Sequence, residues 1–458
     1  MLHLPFEPKS RLTFSGNVTV TNGKIWEVTK WHLGRWMSSI PALRLANGVL
    51  SFDQNEISDT LSAQFFVKEL DEIKVTQYDD PIPHPTRPLC TIVRKEIAPL
   101  LFEAANDSAP GESGISWKII KMAWVHADEI ITHIFNACLH LGHHPSFWCK
   151  AVVVVIPKPW KDDYLAAKLY RPISLIKCLS KLLEKVVAKR LLFNADKHSL
   201  LPTTQFGTRA FSCTIDAGLT LLHDVQTHLK KGDCCAALLF DIKGFFDHVH
   251  RKRMTHTLQN LGFPKSITGW VDSFLTDWRV TLSFNNAFGD EHTQPIGTPQ
   301  GSPVSPILSA LYTSPLLKLI SEAQSSTLGM YVDDGIIFAY AKEWPEVNTQ
   351  LRTRYIECQD WLYRSNLACE PDKTELIYFI HPKLSKYLPP PTALSLPGPS
   401  GSSDYTVHPS ATVRYLSFFI NHKLDWGPHV TTMCNHGHAS LKALQMLGNS
   451  QRGISMAS

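Results

Sequence analysis

Two adjacent carboxylates, Asp333 and Asp334, are the residues of this sequence whose types and spacing best suit chemistry. Apolar, β-prone runs flank them and Gly335 follows, so residues 329–340 predict a β-hairpin with both acids at its tip. An Asp-Gly pair alone would make such a turn. The extra like charge costs stability unless a cation lies beside it, and Asp241, at the end of another strand-like run, could complete a cation site. A plain turn and a cation site both remain open on these residues alone.

Asp241 ends the apolar run 236–240, which has the composition of a buried strand. Charged residues at the exit of a strand are commonly part of a binding or catalytic site. We expect Asp247 to cap the N-terminus of a helix near 248–261. No helix is predicted directly after Asp241, so capping explains that residue poorly.

Residues 297–306 form a second candidate element, with two glycines and three prolines that fix an unusual backbone. The loop opens a predicted helix over 304–320, for which Ser302 or Ser305 is the expected cap. A loop of this kind can approach a ligand closely, and Gln300 offers both hydrogen-bond donors and acceptors.

Positive charge concentrates in residues 158–190, where nine Lys or Arg face three acids and give +6, against +4 for the whole chain. On the predicted helix 177–193 the lysines recur every four residues, which favours a solvated helix face. Lys158, Lys161 and Arg171 differ, because they lie at the mouth of a predicted strand pair that begins with the buried strand 151–156. A polyanion or a triphosphate would be attracted to that mouth.

The remaining pattern predicts a mixed chain with a proline-stiffened connector at 81–88 and a proline- and serine-rich loop at 388–403. Apolar spacing predicts helices at 57–75, 93–105, 116–139 and 345–366, a strand before 379, one strand over 414–421 and a final helix.

Composition excludes several classes of protein. The apolar fraction of 44% and charged fraction of 19% fit a globular protein with a large core. Ten cysteines without a CxxC pair indicate free, buried thiols in a reducing compartment, and the His/Cys runs 142–149 and 434–438 lack zinc-finger spacing. Neither a membrane span nor a signal peptide is present, so we expect an intracellular protein of the nucleus or cytoplasm.

Seven blocks in a fixed order together resemble the reverse transcriptase domain of non-LTR (LINE-type) retrotransposons. They are IPKPWKDD at 156–163, YRPISLIKCLSKLLEKVVAKRL at 170–191, QFGTR at 205–209, FDIKGFFD at 240–247, GTPQGSPVSPILSALYTSPL at 297–316, YVDD at 331–334 and DKTE at 372–375. Each block is weak or moderate alone, but all seven in order make chance an untenable explanation.

The resemblance implies an α+β, right-hand polymerase fold whose palm has an antiparallel sheet packed on helices. It places an N-terminal helical linker at 1–104, fingers at 105–235, a palm at 236–425 that is partly finger-like over 264–300, and the start of a truncated thumb at 426–458. The resemblance to the family's longer elements favours a polymerase core truncated at both ends.

The implied activity is RNA-directed DNA polymerisation on an RNA template, with a DNA primer and deoxynucleoside triphosphates. Two Mg²⁺ ions about 4 Å apart, or Mn²⁺ in their place, would activate the primer hydroxyl and neutralise the leaving oxygens. By the family pattern Asp241 and Asp333 bridge the ions, the Ile242 carbonyl adds a ligand, and Asp334 supports the site electrostatically.

The same pattern assigns Lys158 and Arg171 to the triphosphate and Gln300 to the incoming nucleotide and template. Phe246 would lie beneath the sugar and exclude a 2′-hydroxyl. Lys373 would protonate the pyrophosphate, although an exposed structural lysine is an open alternative.

Three departures from the family pattern concern primer positioning rather than the metal ligands. Ser417 replaces a common glycine, Asn421 a common aspartate, and Ser113 a usual aspartate. Two alternatives to the polymerase follow: an inactive element remnant that keeps the fold and binds RNA through its basic face, and a less favoured intron maturase-like splicing factor.

Overall fold

The computed structural model describes residues 40, 42–66, 85–88, 90–158, 163–285, 287–321, 326–380, 391–398 and 403–447. The predictions for Lys161, for most of the N-terminal linker and for much of the loop 388–403 lie outside these residues. Residues 41–424 form one compact unit, and residues from 425 onward belong to a second unit.

The helices and strands of the described residues are, in chain order, β1 Leu43–Arg44, β2 Leu50–Ser51, α1 Gln54–Phe65, α2 Arg94–Phe102, α3 Trp117–Leu141, β3 Lys150–Pro157, β4 Tyr170–Ile176, α4 Cys178–Lys197, α5 Thr214–Lys230, β5 Cys234–Asp241, α6 Phe245–His248, α7 Arg251–Asn260, α8 Lys265–Phe274, β6 Trp278–Phe284, β7 Ala287–Gln294, α9 Ser305–Ser321, β8 Ser326–Tyr331, β9 Asp334–Ala341, α10 Trp344–Arg364, β10 Glu375–Phe379, β11 Leu394–Leu396, β12 Tyr405–Val407, β13 Thr412–Tyr415, β14 Phe418–Asn421 and α11 Gly427–Leu447. Short 3₁₀ turns lie at Ser146–Trp148, Ala167–Leu169 and Pro371–Lys373.

The first of two four-stranded sheets, the β5 sheet, has the order β10-β5-β9-β8, and each neighbouring pair is antiparallel. Cys234 to Phe240 are all buried, because both faces of β5 are covered. Ala237 and Leu239 pack in a cluster with α5 and the β13–β14 hairpin. On the other face, the Phe240 ring meets Tyr355 of α10 edge-on at 6.2 Å. Burial on both faces explains why β5 is a continuous apolar run.

The second sheet, the β3 sheet, has the order β4-β3-β6-β7, in which β3 and β6 are parallel and the other pairs antiparallel. The strand predicted at 151–156 is present, but its full burial is a wrong prediction. Val153 is buried whereas Ile156 is 45% exposed, because burial alternates along β3 as it does in a sheet packed on one face.

The mixed helix and strand content confirms the α+β class, and the helices predicted near 93–105, 116–139, 177–193, 304–320 and 345–366 are confirmed as α2, α3, α4, α9 and α10. The helix predicted at 57–75 starts earlier, since α1 begins after Asp53, whose carboxylate accepts hydrogen bonds from the Asn55 and Glu56 amides. All ten cysteines are free, as predicted, but the burial predicted for them is wrong at Cys90, Cys213 and Cys434, which are exposed. Within the described part of the chain, no helix is long and apolar enough to cross a membrane.

Three further local predictions are wrong. Asp247 does not cap the helix that follows: it lies inside α6, and α7 is capped by the His250 side chain instead. Residues 414–421 are not one strand, since the chain reverses direction between β13 and β14 at Leu416, which has a φ of 54°. The sequence gives no sign of this turn, because the position holds neither glycine nor asparagine. Lys185 is not on a solvated face, because its Nζ packs 4.9 Å from the centre of the Trp117 ring.

Candidate active site

The predicted hairpin at 329–340 is confirmed, and its turn carries one of the two acids. Tyr331 and Asp334 are paired residues of β8 and β9, so Val332 and Asp333 form a two-residue connection. Val332 has a φ of 61°, a left-handed conformation that is unusual for a β-branched residue. The backbone therefore turns sharply where Asp333 is presented.

Strand register brings Asp241 to the same end of the β5 sheet. Asp241 and Asp334 are Cα partners in the antiparallel β5–β9 pair, a relation that separates Cα atoms by roughly 4.5–5.5 Å. The Ile242 amide donates to the Asp333 carbonyl at 3.1 Å, which fixes the turn against the end of β5. Residues more than ninety positions apart in the sequence are thus neighbours here.

The three carboxyl groups disfavour one another's ionisation. Burial, followed by the charges of Asp334 and Asp241, raises the pKa of Asp333 to about 6. Burial also raises the pKa of Asp241 and of Asp334, and the charge of Asp241 adds to the effect on Asp334. Such mutual repulsion is what a bound cation would relieve.

Lys373 partly offsets this negative charge. Its ammonium donates to Asp241 Oδ2 at 2.7 Å and pairs with Glu370 Oε2 at 2.5 Å. Burial lowers the pKa of Lys373, but the bonds to Asp241 and Glu370 outweigh burial and raise it. The Glu370 amide also donates to the Asp241 carbonyl at 2.9 Å, so this turn is joined to the strand end by backbone and side chain.

The chemistry of the donor set fits a hard divalent cation, since carboxylate and carbonyl oxygens are the ligands that Mg²⁺ prefers. Within the described residues, however, no three His, Cys, Asp or Glu side chains are arranged to hold a metal ion. Asp241 instead pairs with Lys373.

The loop that carries Gln300 is hydrogen-bonded to α6 and to β4. Gln300 Nε2 donates to both carboxylate oxygens of Asp247, at 3.0 and 3.1 Å, and the Gln300 carbonyl accepts from the Ser174 amide of β4 at 2.7 Å. The Thr298 amide donates to the Phe246 carbonyl at 2.7 Å. These hydrogen bonds join the Gln300 loop to α6, and so place Gln300 and Phe246, two predicted site residues, on connected elements.

Lys158 and Arg171 lie at one end of the β3–β4 pair. The register pairs Ile156 with Arg171, and the Lys158 amide continues the ladder by donating to the Leu169 carbonyl at 2.8 Å. Arg171 is exposed, whereas the Lys158 ammonium donates to the Lys168 carbonyl at 2.7 Å. The two bases share a strand end, as the sequence predicts.

Sequence reasoning missed three charged residues near these elements. Glu370 binds Lys373, Arg414 of β13 lowers the pKa of Asp334 against the effect of burial, and Glu184 is completely buried beneath the Gln300 loop. The first two required knowing which turns meet. Glu184 could have been found from the sequence, because an acid among apolar residues of a lysine-rich helix indicates a buried carboxyl group with a hydrogen-bond partner.

The three departures from the family pattern lie in a turn, at a strand end and in a loop. Ser417 follows Leu416 in the β13–β14 turn, and Asn421, which ends β14, is buried. Ser113 lies in the loop before α3, where its hydroxyl accepts from the Ile115 amide at 3.4 Å.

Comparison with known proteins defines the class. The family model described as reverse transcriptase (RNA-dependent DNA polymerase) matches residues 156–420, more than half of the chain. The chain belongs to the reverse transcriptase family, and the resemblance to non-LTR retrotransposon enzymes is confirmed. The fold class is that of the family's right-hand polymerases.

Three curated proteins of Drosophila melanogaster are similar to this chain. A probable RNA-directed DNA polymerase from transposon X-element is 27% identical over 79% of the chain and 38% of its own length. One from transposon BS is 25% identical over 95% and 48%, and that of mobile element jockey is 24% identical over 76% and 37%. The chain thus spans less than half the length of these relatives. A solved structure of apo telomerase from Candida tropicalis, truncated from the C-terminal domain, gives a TM-score of 0.40 at 16% identity, covering 62% of this chain and 55% of that one.

Proposed function

We propose that this chain is the RNA-directed DNA polymerase of a non-LTR retroelement. One observation carries the proposal: β-strand register makes Asp241 and Asp334 partners, with Asp333 in the adjoining turn. Three carboxyl groups at one sheet end, with raised pKa values, would form the negative site that nucleotidyl transfer with divalent ions needs.

Asp241 and Asp333, with the Ile242 carbonyl and the charge of Asp334 beside them, would hold two Mg²⁺ ions, or Mn²⁺ in their place, and Asp241 would then exchange its ion pair with Lys373 for the ions. The chemistry supplied at this site would be a lower pKa of the primer hydroxyl and neutralised charge on the leaving oxygens. The chain's own part is to hold these oxygens at a rigid strand end. Lys373 pairs with Asp241 and would give a proton to departing pyrophosphate.

The other predicted residues would bind the deoxynucleotide. Lys158 and Arg171 would contact the triphosphate from the end of the β3–β4 pair, which attracts anions. Gln300 would face the base and template, and Phe246 would lie beneath the sugar and select deoxyribose. The bonds that join the Gln300 loop to α6 support these two roles together.

We assign residues 1–104 to a linker, 105–235 to fingers, 236–425 to a palm and 426–458 to the start of a thumb. The pairing of β6 with β3, rather than with the β5 sheet, supports a finger-like interruption at 264–300. The partners would be an RNA template, a DNA primer and deoxynucleoside triphosphates, inside the nucleus or cytoplasm.

Primer extension tests the proposal. Purified chain should extend a DNA primer on RNA with deoxynucleotides and Mg²⁺, and Asp333→Ala should not. Asp290→Ala, at an exposed position of β7, is the matched control and should retain activity. Thermal unfolding would verify that both variants are folded.

Two results would overturn the polymerase. Equal extension by wild type and Asp333→Ala would remove the aspartates from the chemistry. Salt-sensitive RNA binding without extension, under Mg²⁺ and Mn²⁺ alike, would favour a remnant that keeps only the fold and RNA binding.

A further inference from the structure

A completely buried carboxylate, Glu184 of α4, lies beneath the loop that carries Gln300. Both of its oxygens accept hydrogen bonds: Oε1 from the Ser180 hydroxyl at 2.7 Å and Oε2 from the Ser302 hydroxyl at 2.5 Å. Burial raises the pKa of Glu184, against the effect of both hydroxyls. Burying a carboxyl group is costly, and an apolar side chain would fill the same space. We therefore expect that a glutamate is present at this position because of the hydrogen bonds it makes.

The hydrogen bonds of Glu184 on the α4 side, through Ser180, lead into a tightly packed region. Ser180 lies one helical turn before Glu184, and its oxygen is 3.3 Å from His144 Nε2. Rings of Trp148, Trp270 and Phe274 surround His144 at 5.2–5.6 Å. Burial lowers the pKa of His144 to about 3, so the imidazole is neutral. Since Ser180 donates to Glu184, His144 donates from Nε2 to Ser180.

The other end of the network is the loop itself. The Ser302 hydroxyl accepts from the Val304 amide at 3.2 Å, and the Ser302 amide donates to the Pro299 carbonyl at 3.1 Å. Gly301, with a φ of 118°, lies so close to β4 that a Cβ there would be 2.9 Å from the Ser174 carbonyl oxygen. Fixing Ser302 therefore fixes Gln300 against the Ser174 amide.

Bonds from this loop continue to α6. Gln300 Nε2 reaches both oxygens of Asp247, and Thr298 donates to the Phe246 carbonyl. Hydrogen bonds and the backbone of the loop 298–302 thus connect Glu184, through Ser302, with Asp247 and with Phe246, the residue proposed to lie beneath the sugar.

We propose that Glu184 is a positioning residue of the nucleotide site, which acts through Ser302 to fix the loop 299–302 and, with it, Gln300 and α6. The proposal rests on the proposed function, because it treats Gln300 and Phe246 as contacts of the incoming deoxynucleotide. Glu184 itself touches no substrate.

Two serine variants separate positioning from general core stability. Ser302→Ala removes the bond from Glu184 to the loop, while Ser180→Ala removes the bond that stays within α4; both serines are buried and both donate to the same carboxylate. Ser302→Ala should raise the KM for deoxynucleotide about tenfold, because a buried acceptor on Glu184 loses its donor and the loop loses its bond to α4, with little change in kcat. Ser180→Ala should leave KM within about twofold of wild type. It should lower Tm about as much as Ser302→Ala does, because each variant removes one hydroxyl donor from the same carboxyl group. Glu184→Gln keeps an acceptor and should fall between them.

A second readout needs no activity. The Ser174 amide donates to the Gln300 carbonyl, so its hydrogen exchange reports the position of the loop two steps from the altered bond. Exchange at Ser174 should accelerate in Ser302→Ala and not in Ser180→Ala.

Equal exchange at Ser174 in the two variants, together with equal KM values, would overturn the positioning role. A wild-type chain that does not extend primers would overturn the proposed function instead. The exchange comparison alone would then decide whether Glu184 fixes the loop.

Discussion

The β5 sheet and the β3 sheet divide the charged groups of the candidate site between two kinds of surface. The β5 sheet is covered on both faces and ends in three acids, two of them paired by strand register. The β3 sheet is half-buried and ends in two bases, of which Arg171 is exposed. Acids that repel one another need a rigid scaffold, whereas the bases that we propose bind a triphosphate need access to solvent. Four variants test this contrast, from the largest expected effect to the smallest.

Asp241→Asn should abolish primer extension, with a loss of about a thousandfold or more, because divalent ions contribute several kcal/mol to the stabilisation of transition-state charge. Steady-state primer extension measures the loss. Asp404→Asn breaks an exposed ion pair with Arg352 and should change little. Retention of a tenth of wild-type activity by Asp241→Asn would contradict the role of the β5 sheet.

Gly335→Ala should lower the free energy of unfolding by about 1–3 kcal/mol, since a Cβ there collides with the Phe240 ring in the packed interior. The control is Gly289→Ala in β7, where a Cβ meets the flexible hydroxyl of Ser58 at 2.8 Å. Denaturant unfolding should place the control within about 0.5 kcal/mol of wild type. Equal losses would mean that the two sheets are equally tightly packed.

Arg171→Ala should raise the KM for deoxynucleotide about tenfold, because a guanidinium–phosphate contact is a strong, charge-assisted hydrogen bond. The difference from wild type should shrink at high salt. Arg279→Ala, on β6 of the same sheet, removes a contact with Glu291 and should leave KM unchanged. An equal rise in both variants would mean that the β3 sheet acts only through its general charge.

Asp247→Asn should alter the pH dependence of stability by a smaller amount. Burial raises the pKa of Asp247 to about 6, against the effect of the Gln300 amide, whereas an unfolded aspartate titrates near about 3.9. The folded state therefore binds this proton more tightly, and the stability it contributes in acid is lost as pH rises from about 4 through 6.

The free energy of unfolding of Asp247→Asn should accordingly exceed that of wild type at pH 8 and approach it at pH 4, as measured by denaturant titration. Asp216 provides a control of opposite sign, because hydrogen bonds from Cys213 lower its pKa. Asp216→Asn should be less stable than wild type at pH 8. A uniform gain for Asp247→Asn at both pH values would exclude titration as the cause.

Local chemistry accounts for what the sequence predicts well. Paired acids between β-prone runs specify a hairpin, and a continuous apolar run specifies β5, so the meeting of Asp241 with Asp334 follows once the family order is seen. Tertiary contacts account for the errors. Asp247 accepts hydrogen bonds from the side-chain amide of Gln300 instead of capping a helix, and Lys185 packs on the Trp117 ring instead of facing solvent. Glu184 depends on a loop more than a hundred residues away.

At Val332, thermal stability and the proposed nucleotide transfer place opposite demands on the backbone. Its left-handed backbone costs a β-branched residue about 1–3 kcal/mol, and the same bend presents Asp333. A glycine there would release that energy and make the protein harder to melt, while loosening the aspartate. Selection for thermal stability alone would therefore favour replacing a residue whose backbone conformation the proposed polymerase uses to present Asp333.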